Sequence, residues 1–153
     1  MRPIWCDDPT AAFWLAAATG EPEAIETLAQ AAVSTLARWR NEWIARPEIA
    51  VSLQLTGMRP VTDRIATVGH LHHAVMPAVA GTAPGRNSSG GEEATHWRNA
   101  ISTDNSLRDM ITGRCVLLVT DSTPTRWPIT VAAAHLRKAG ARTVLPLLIH
   151  HPA

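Results

Sequence analysis

The chain has 153 residues, 46 % of them hydrophobic and 18 % charged, a balance that supports one folded unit with a sizeable core and excludes wholesale disorder. Fourteen basic against thirteen acidic residues leave a formal charge of +1, so no global field recruits nucleic acid or anionic membrane; such binding has to be local or supplied by another domain. Two distant cysteines, Cys6 and Cys115, make no disulfide framework; with no basic-then-apolar leader and no apolar run near the roughly 18 residues of a membrane span, a cytoplasmic protein is expected.

In chain order, Asp7-Asp8-Pro9-Thr10 puts acids at the start of a short helix predicted over 9–18, stopped by Gly20. From Glu21 to Ala45, Ile25, Leu28, Ala32, Leu36, Trp39 and Trp43 recur at spacings of three and four, which predicts an amphipathic helix that begins at Pro22 and ends before Pro47. The two tryptophans on that stripe are read as packed core in preference to a base-stacking platform. Residues 1–47 are thus expected to be helices packed on an α/β domain spanning 48–153. Glu48 to Leu55 reads as the first strand, followed by Thr56-Gly57-Met58-Arg59-Pro60. A strand, a glycine turn and a helix form a possible anion site, although the glycine and lysine spacing of a nucleotide phosphate loop is missing.

A short helix is predicted over 61–69 and a strand over 72–80. His70, His72 and His73 have no cysteine or carboxylate cluster beside them, so they are read as exposed or hydrogen-bonded side chains, and no metal site is expected. Gly81 to Gly91 has the glycine, serine and proline content of a loop. Glu92 to Gly113 returns to helix, with a break expected between Ser102 and Asn105.

The carboxyl third carries the chemical accent. Cys115 to Val119 is a continuous apolar run ending in Thr120-Asp121; a polar loop, Ser122 to Trp127, leads to a helix over 128–139, Gly140, and a second apolar run over 143–149. Two apolar strands joined by a helix of about a dozen residues imply parallel pairing in a sheet covered on both faces. Ligands of such sheets bind at the carboxyl ends of strands, where residues 121–127 fall. In that loop Pro128 suits a first helical turn, Thr125 is a capping residue type, and Trp127 is suited to cover the sheet edge.

Val116 to Asp121, the turn Thr125-Arg126-Trp127, Leu136-Arg137-Lys138-Ala139-Gly140-Ala141 and Val144-Leu145-Pro146-Leu147 resemble the phosphoribosyl-pyrophosphate (PRPP) signature of type I phosphoribosyltransferases. More closely, they resemble the phosphoribosyltransferase-like module at the carboxyl end of some bacterial RecQ-type DNA helicases. Weaker likeness runs upstream through Leu36 to Trp39, Met58-Arg59-Pro60 and Ile65 to Leu71. The resemblance implies a parallel, Rossmann-like three-layer α/β fold with helices on both faces. It also implies ligand contacts from Gly57 and Arg59 in the first loop and from Thr120, Asp121, Thr123, Thr125, Arg126 and Trp127 in the second.

The departures from that signature bear on activity. The family holds the ribose hydroxyls with two adjacent acids; here Thr120 takes the first position and only Asp121 remains. Pro124 and Pro128 each remove a backbone donor, and Arg126 stands where the family has glycine. Each lost charge-assisted hydrogen bond is worth about 1.5–3 kcal/mol, so transfer chemistry is not expected. What the resemblance then implies is a noncatalytic module of DNA-repair machinery, with a DNA helicase or another repair protein, or single-stranded DNA, as partner. It would need no cofactor. The alternative is a divergent transferase or PRPP-binding regulator, with Asp121 as its catalytic acid and Mg²⁺ only alongside PRPP.

Overall fold

The computed structural model describes residues 4–5, 20–53, 55, 59–78, 88–122 and 125–150. Among the described residues five parallel strands form one sheet: β1 (Ile4–Trp5), β2 (Ile49–Leu53), β3 (His72–Met76), β4 (Cys115–Ser122) and β5 (Thr143–His150), in the order β1-β5-β4-β2-β3. The helices are α1 (Pro22–Trp39), α2 (Arg59–Gly69), α3 (Gly90–Ala100), α4 (Asn105–Ile111) and α5 (Trp127–Lys138). The short helix expected over 9–18 and most of the loop expected over 81–91 lie outside the described residues.

The central strands are apolar on both faces because both faces are covered. All five residues of β2 are buried, and successive residues of β4 enter different cores. Cys115, Leu117 and Val119 pack with Leu28, Ala32 and Leu36 of α1 and with Val61 and Ile65 of α2. Val116 and Leu118 pack on the other side with Leu107, Ile111, Ile129 and Leu136 of α4 and α5. The amino-terminal helix α1 therefore shares a core with the sheet.

Cys115 is wholly buried, with its Sγ 3.5 Å from the carbonyl of Ala45, and burial pushes the thiol pKa up. On the α2 face of β2 the buried Ser52 hydroxyl meets His73 Nε2 at 3.2 Å, and His73 Nδ1 pairs with Asp63. His70 and His72 are exposed, so the histidines fall into the exposed and hydrogen-bonded classes expected of them. Glu26 and Arg64 tie α1 to α2 through an Nε–Oε2 contact of 2.7 Å, and that hydrogen bond holds the Glu26 carboxyl below its usual range. The pair is close to half exposed, so its contribution to stability is small.

The end of the first helix and the end of β3 differ from expectation, whereas the break in the helix after Glu92 falls where it was expected. The first helix ends at Trp39 and passes through a 3₁₀ turn, Arg40–Glu42. Trp43 still packs on the core, whereas Trp39, the last residue of the α-helix, is 44 % exposed; the stripe predicted one face for both. The strand predicted over 72–80 ends at Met76, ahead of Pro77, which has no N–H to donate, and Ala78 makes only an isolated bridge to Ile101. The break between α3 and α4 forms because Ile101 is drawn into the core and the Asp104 carboxylate caps α4 at the Leu107 N–H, 2.7 Å away.

The amino end of α3 is closed by a capping box: Ser89 Oγ accepts from Glu92 N at 3.2 Å and Glu92 Oε2 accepts from Ser89 N at 2.8 Å. Ser89→Ala is expected to lower unfolding stability by about 1 kcal/mol, read as a lower urea midpoint at unchanged slope; no shift would mean that the box is not formed in solution. At the other end of the module Gly140, at φ 115°, lets the Ala141 N–H reach back to the Leu136 carbonyl at 3.0 Å and stops α5.

Candidate functional site

The sheet order defines where a ligand is to be sought. From β2 the chain moves outward through α2 to β3, whereas β4 lies on the other side of β2 and continues through α5 to β5. The connections therefore diverge between the carboxyl ends of β2 and β4, which is the switch point where ligands of open parallel sheets bind. Described parts of two sequence-derived segments flank it: β2 ends at Leu53 and Arg59 opens α2, while Asp121 lies at the carboxyl end of β4 and Trp127 opens α5. Gly57 and Thr123 lie outside the described residues, as does Pro124.

Thr120 sits in β4 between Leu53 of β2 and Leu148 of β5 in register. It is 0 % exposed, and its Oγ1 has no hydrogen-bond partner among the described residues. The position at which the resemblance calls for the first acid is therefore interior to the sheet. Asp121 follows at the carboxyl end of the same strand.

Thr125 is half-buried, and the helix cap falls one residue later than its residue type suggested. Arg126 is the N-cap of α5, and its side chain makes no capping hydrogen bond. The Arg126 carbonyl accepts from the Thr130 N–H at 3.1 Å and from Thr130 Oγ1 at 2.8 Å. Its φ of −86° is outside the left-handed region that glycine serves. Arg126 also lines a cavity of about 630 Å³ along the outer side of α5 and β5, with Ile129, Thr130, Arg137 and Pro146.

Trp127 is the first residue of α5. It is half-buried against the α3–α5 core, and its ring is 3.1 Å from where a Cβ on Gly90 would lie. Gly90 is thus what allows the amino end of α3 to close on the indole. Pro128 follows, fully buried and without an N–H. The first turn of α5 therefore offers Trp127 and Ile129 N–H groups separated by a proline, an interrupted version of the consecutive donors that cradle a phosphate. The chain in this region supplies one carboxylate position and a partly occluded helix end.

Outside the loop, sequence reasoning missed a second collection of polar groups, at the amino ends of the strands. Arg46, Glu48, His70, His72 and Arg114 line a cavity of about 410 Å³ there. The repeated arginines around Trp39 and Trp43 were the available signal.

These features define a phosphoribosyltransferase-like α/β fold. Two solved structures are similar to the chain: a hypoxanthine phosphoribosyltransferase from Staphylococcus aureus, with 16 % identity, a TM-score of 0.53 and coverage of 81 % of this chain and 62 % of that one; and the glutamine PRPP amidotransferase from B. subtilis complexed with ADP and GMP, with 18 % identity, a TM-score of 0.52 and coverage of 84 % and 25 %. The chain thus spans less than two thirds of the length of either. No protein-family model matches it, and no curated protein does.

Proposed function

We propose that this chain is a noncatalytic phosphoribosyltransferase-like module that serves DNA-repair or helicase machinery by interaction in place of transfer. The observation that carries the reading is Thr120, buried in the sheet where the resemblance calls for a ribose-binding acid. A carboxylate there would lie in a low-dielectric interior with no partner among the described residues, so the acid pair is not a small change away. The interrupted donors at Trp127, Pro128 and Ile129 support the same reading. The helicase association rests on the sequence likeness of residues 125–147, and co-elution with a RecQ-type helicase that lacks such a module tests it.

The second reading is a PRPP-binding regulator. Asp121 at the carboxyl end of β4, beside the switch point, and the likeness in fold to enzymes of PRPP chemistry favour it. Asp121 would then hold the ribose with Mg²⁺ bridging to water. Calorimetry with PRPP and Mg²⁺ separates the two. No heat of binding is expected at micromolar to submillimolar PRPP; micromolar binding abolished by Asp121→Ala overturns the noncatalytic reading.

A further inference from the structure

The near-zero net charge conceals a segregation of charge by the fold. In a parallel sheet the helices run back, so helix carboxyl ends and the segments entering the strands collect at one end of the molecule. Arg38 closes α1 and Arg40 stands in the 3₁₀ turn; Arg46 precedes β2, Arg114 precedes β4, Arg142 precedes β5, and Arg137-Lys138 close α5. The acids on these segments and on the last turn of α4 are Glu42, Glu48 and Asp109. Glu48 is already engaged, its Oε2 accepting from the Cys115 N–H at 2.9 Å and lying 3.5 Å from Arg142. Arg40, Arg46 and Arg114 enter no ion pair among the described residues. Acids gather instead near the opposite end, with Glu21 and Glu23 at the start of α1 and Glu92 and Glu93 at the start of α3.

The basic end is also grooved and aromatic. The polar cavity lined by Arg46, Glu48, His72 and Arg114 adjoins a second of about 510 Å³, and the two share Arg46, Pro47 and Leu71. The second has an apolar floor, Leu36 and Leu71, with Trp43, Arg40 and Asn41 on its walls. Trp43 is half-buried and its indole N–H has no partner among the described residues. Trp39, immediately before Arg40, is 44 % exposed, the arrangement of an aromatic held out beside cations.

We propose that this groove binds single-stranded nucleic acid. Arg46 and Arg114 stand before the adjacent strands β2 and β4, flanked by His72 at the start of β3 and by the Arg142–Glu48 pair at the entry to β5, so the polar row spans three strand spacings, roughly 15 Å, with two cations at its centre that are unpaired among the described residues. That row meets phosphates of an extended strand, while the Trp43 cavity and the exposed face of Trp39 take bases by stacking, which every base permits. An acidic peptide would match the cations and leave the aromatic cavity unexplained. The groove is at the opposite end of the strands from Asp121, so the inference does not rest on the reading of the β4–α5 loop.

The test is fluorescence anisotropy of a labelled fifteen-residue oligothymidylate with the full chain, repeated from 50 to 200 mM salt. Micromolar binding is expected at low salt, with log K falling against log salt at a slope of about −1.4, the release expected for two phosphates. Arg46→Gln with Arg114→Gln is expected to weaken binding at least tenfold while the circular dichroism spectrum and melting temperature hold. Trp39→Ala, at an exposed position, is expected to weaken it about fivefold or more. Absence of binding at 50 mM salt overturns the proposal. So does dependence on Arg126 in place of Arg46 and Arg114, or displacement by polyglutamate as effective as by unlabelled oligonucleotide. PRPP calorimetry reads the other end of the sheet and is unaffected by any of these results.

Discussion

Thr120→Asp is expected to cost the fold about 3–5 kcal/mol, the usual effect of an uncompensated buried charge, and Thr120→Val to raise stability by about 1 kcal/mol through loss of an unsatisfied hydroxyl. The two substitutions probe one atom site from opposite directions. Thr120 is wholly buried in the middle of the sheet, flanked in register by Leu53 and Leu148, and its Oγ1 has no partner among the described residues. Valine keeps the shape and removes the stranded group. Aspartate places a carboxylate among aliphatic neighbours, and burial raises its pKa above the unfolded value of about 3.9. The neutral acid is the form the fold tolerates, so the penalty is largest above the raised folded pKa and fades as pH falls towards the unfolded one. Urea denaturation at pH 7 and pH 4 should show the Asp variant's midpoint converging on that of the parent at the lower pH. An Asp variant as stable as the parent at pH 7 would mean that the position opens to water, and the structural argument against a PRPP site would go with it.

The strands of the carboxyl third were legible because a strand covered on both faces needs no alternation: Cys115 to Val119 and Thr143 to Ile149 announce themselves as continuous apolar runs, and both lie within the observed strands. Ends were less legible. The apolar spacing continues from Trp39 to Trp43 as though one helix carried both, but the α-helix ends at Trp39, which stays exposed, and a 3₁₀ turn carries the chain to Trp43, which packs on the core. The absence of an acid at Thr120 could be read from residue order alone. That the position lies wholly inside the core could not, because depth at a strand's carboxyl end is set by β2 and β5 on either side, contributed by residues 49–53 and 143–150. The basic groove was hidden for the same reason. Its cations range from Arg38 to Arg142, and a formal charge of +1 gave no sign that parallel topology would sort them to one end.

Leu28→Ala is expected to destabilise the whole chain by about 2–5 kcal/mol, the range for removing a large buried aliphatic side chain and leaving part of its volume empty. Leu28 is 1 % exposed and belongs to the cluster that also holds Cys115, Leu117 and Leu147 of the central strands and Ile65 of α2. Sequence reading divided the chain at residue 47 into amino-terminal helices and an α/β domain. If α1 were a separable unit laid on a finished domain, the substitution would loosen α1 alone, and unfolding followed by helix signal would begin before loss of the sheet. A core shared across that division predicts one cooperative transition, with far-ultraviolet circular dichroism and tryptophan fluorescence moving together to a lower denaturant midpoint. Coincident curves at a midpoint unchanged from the parent would contradict the packing of Leu28, and separated curves would contradict the shared core. The outcome bears on function as well as stability. Arg40 and Trp43 line the basic groove, with Trp39 exposed just before them, because α1 is anchored to the sheet along this face, so a variant that frees α1 should lose oligonucleotide affinity with its helix-to-sheet contacts, while a variant that merely lowers the midpoint should bind normally well below its unfolding transition.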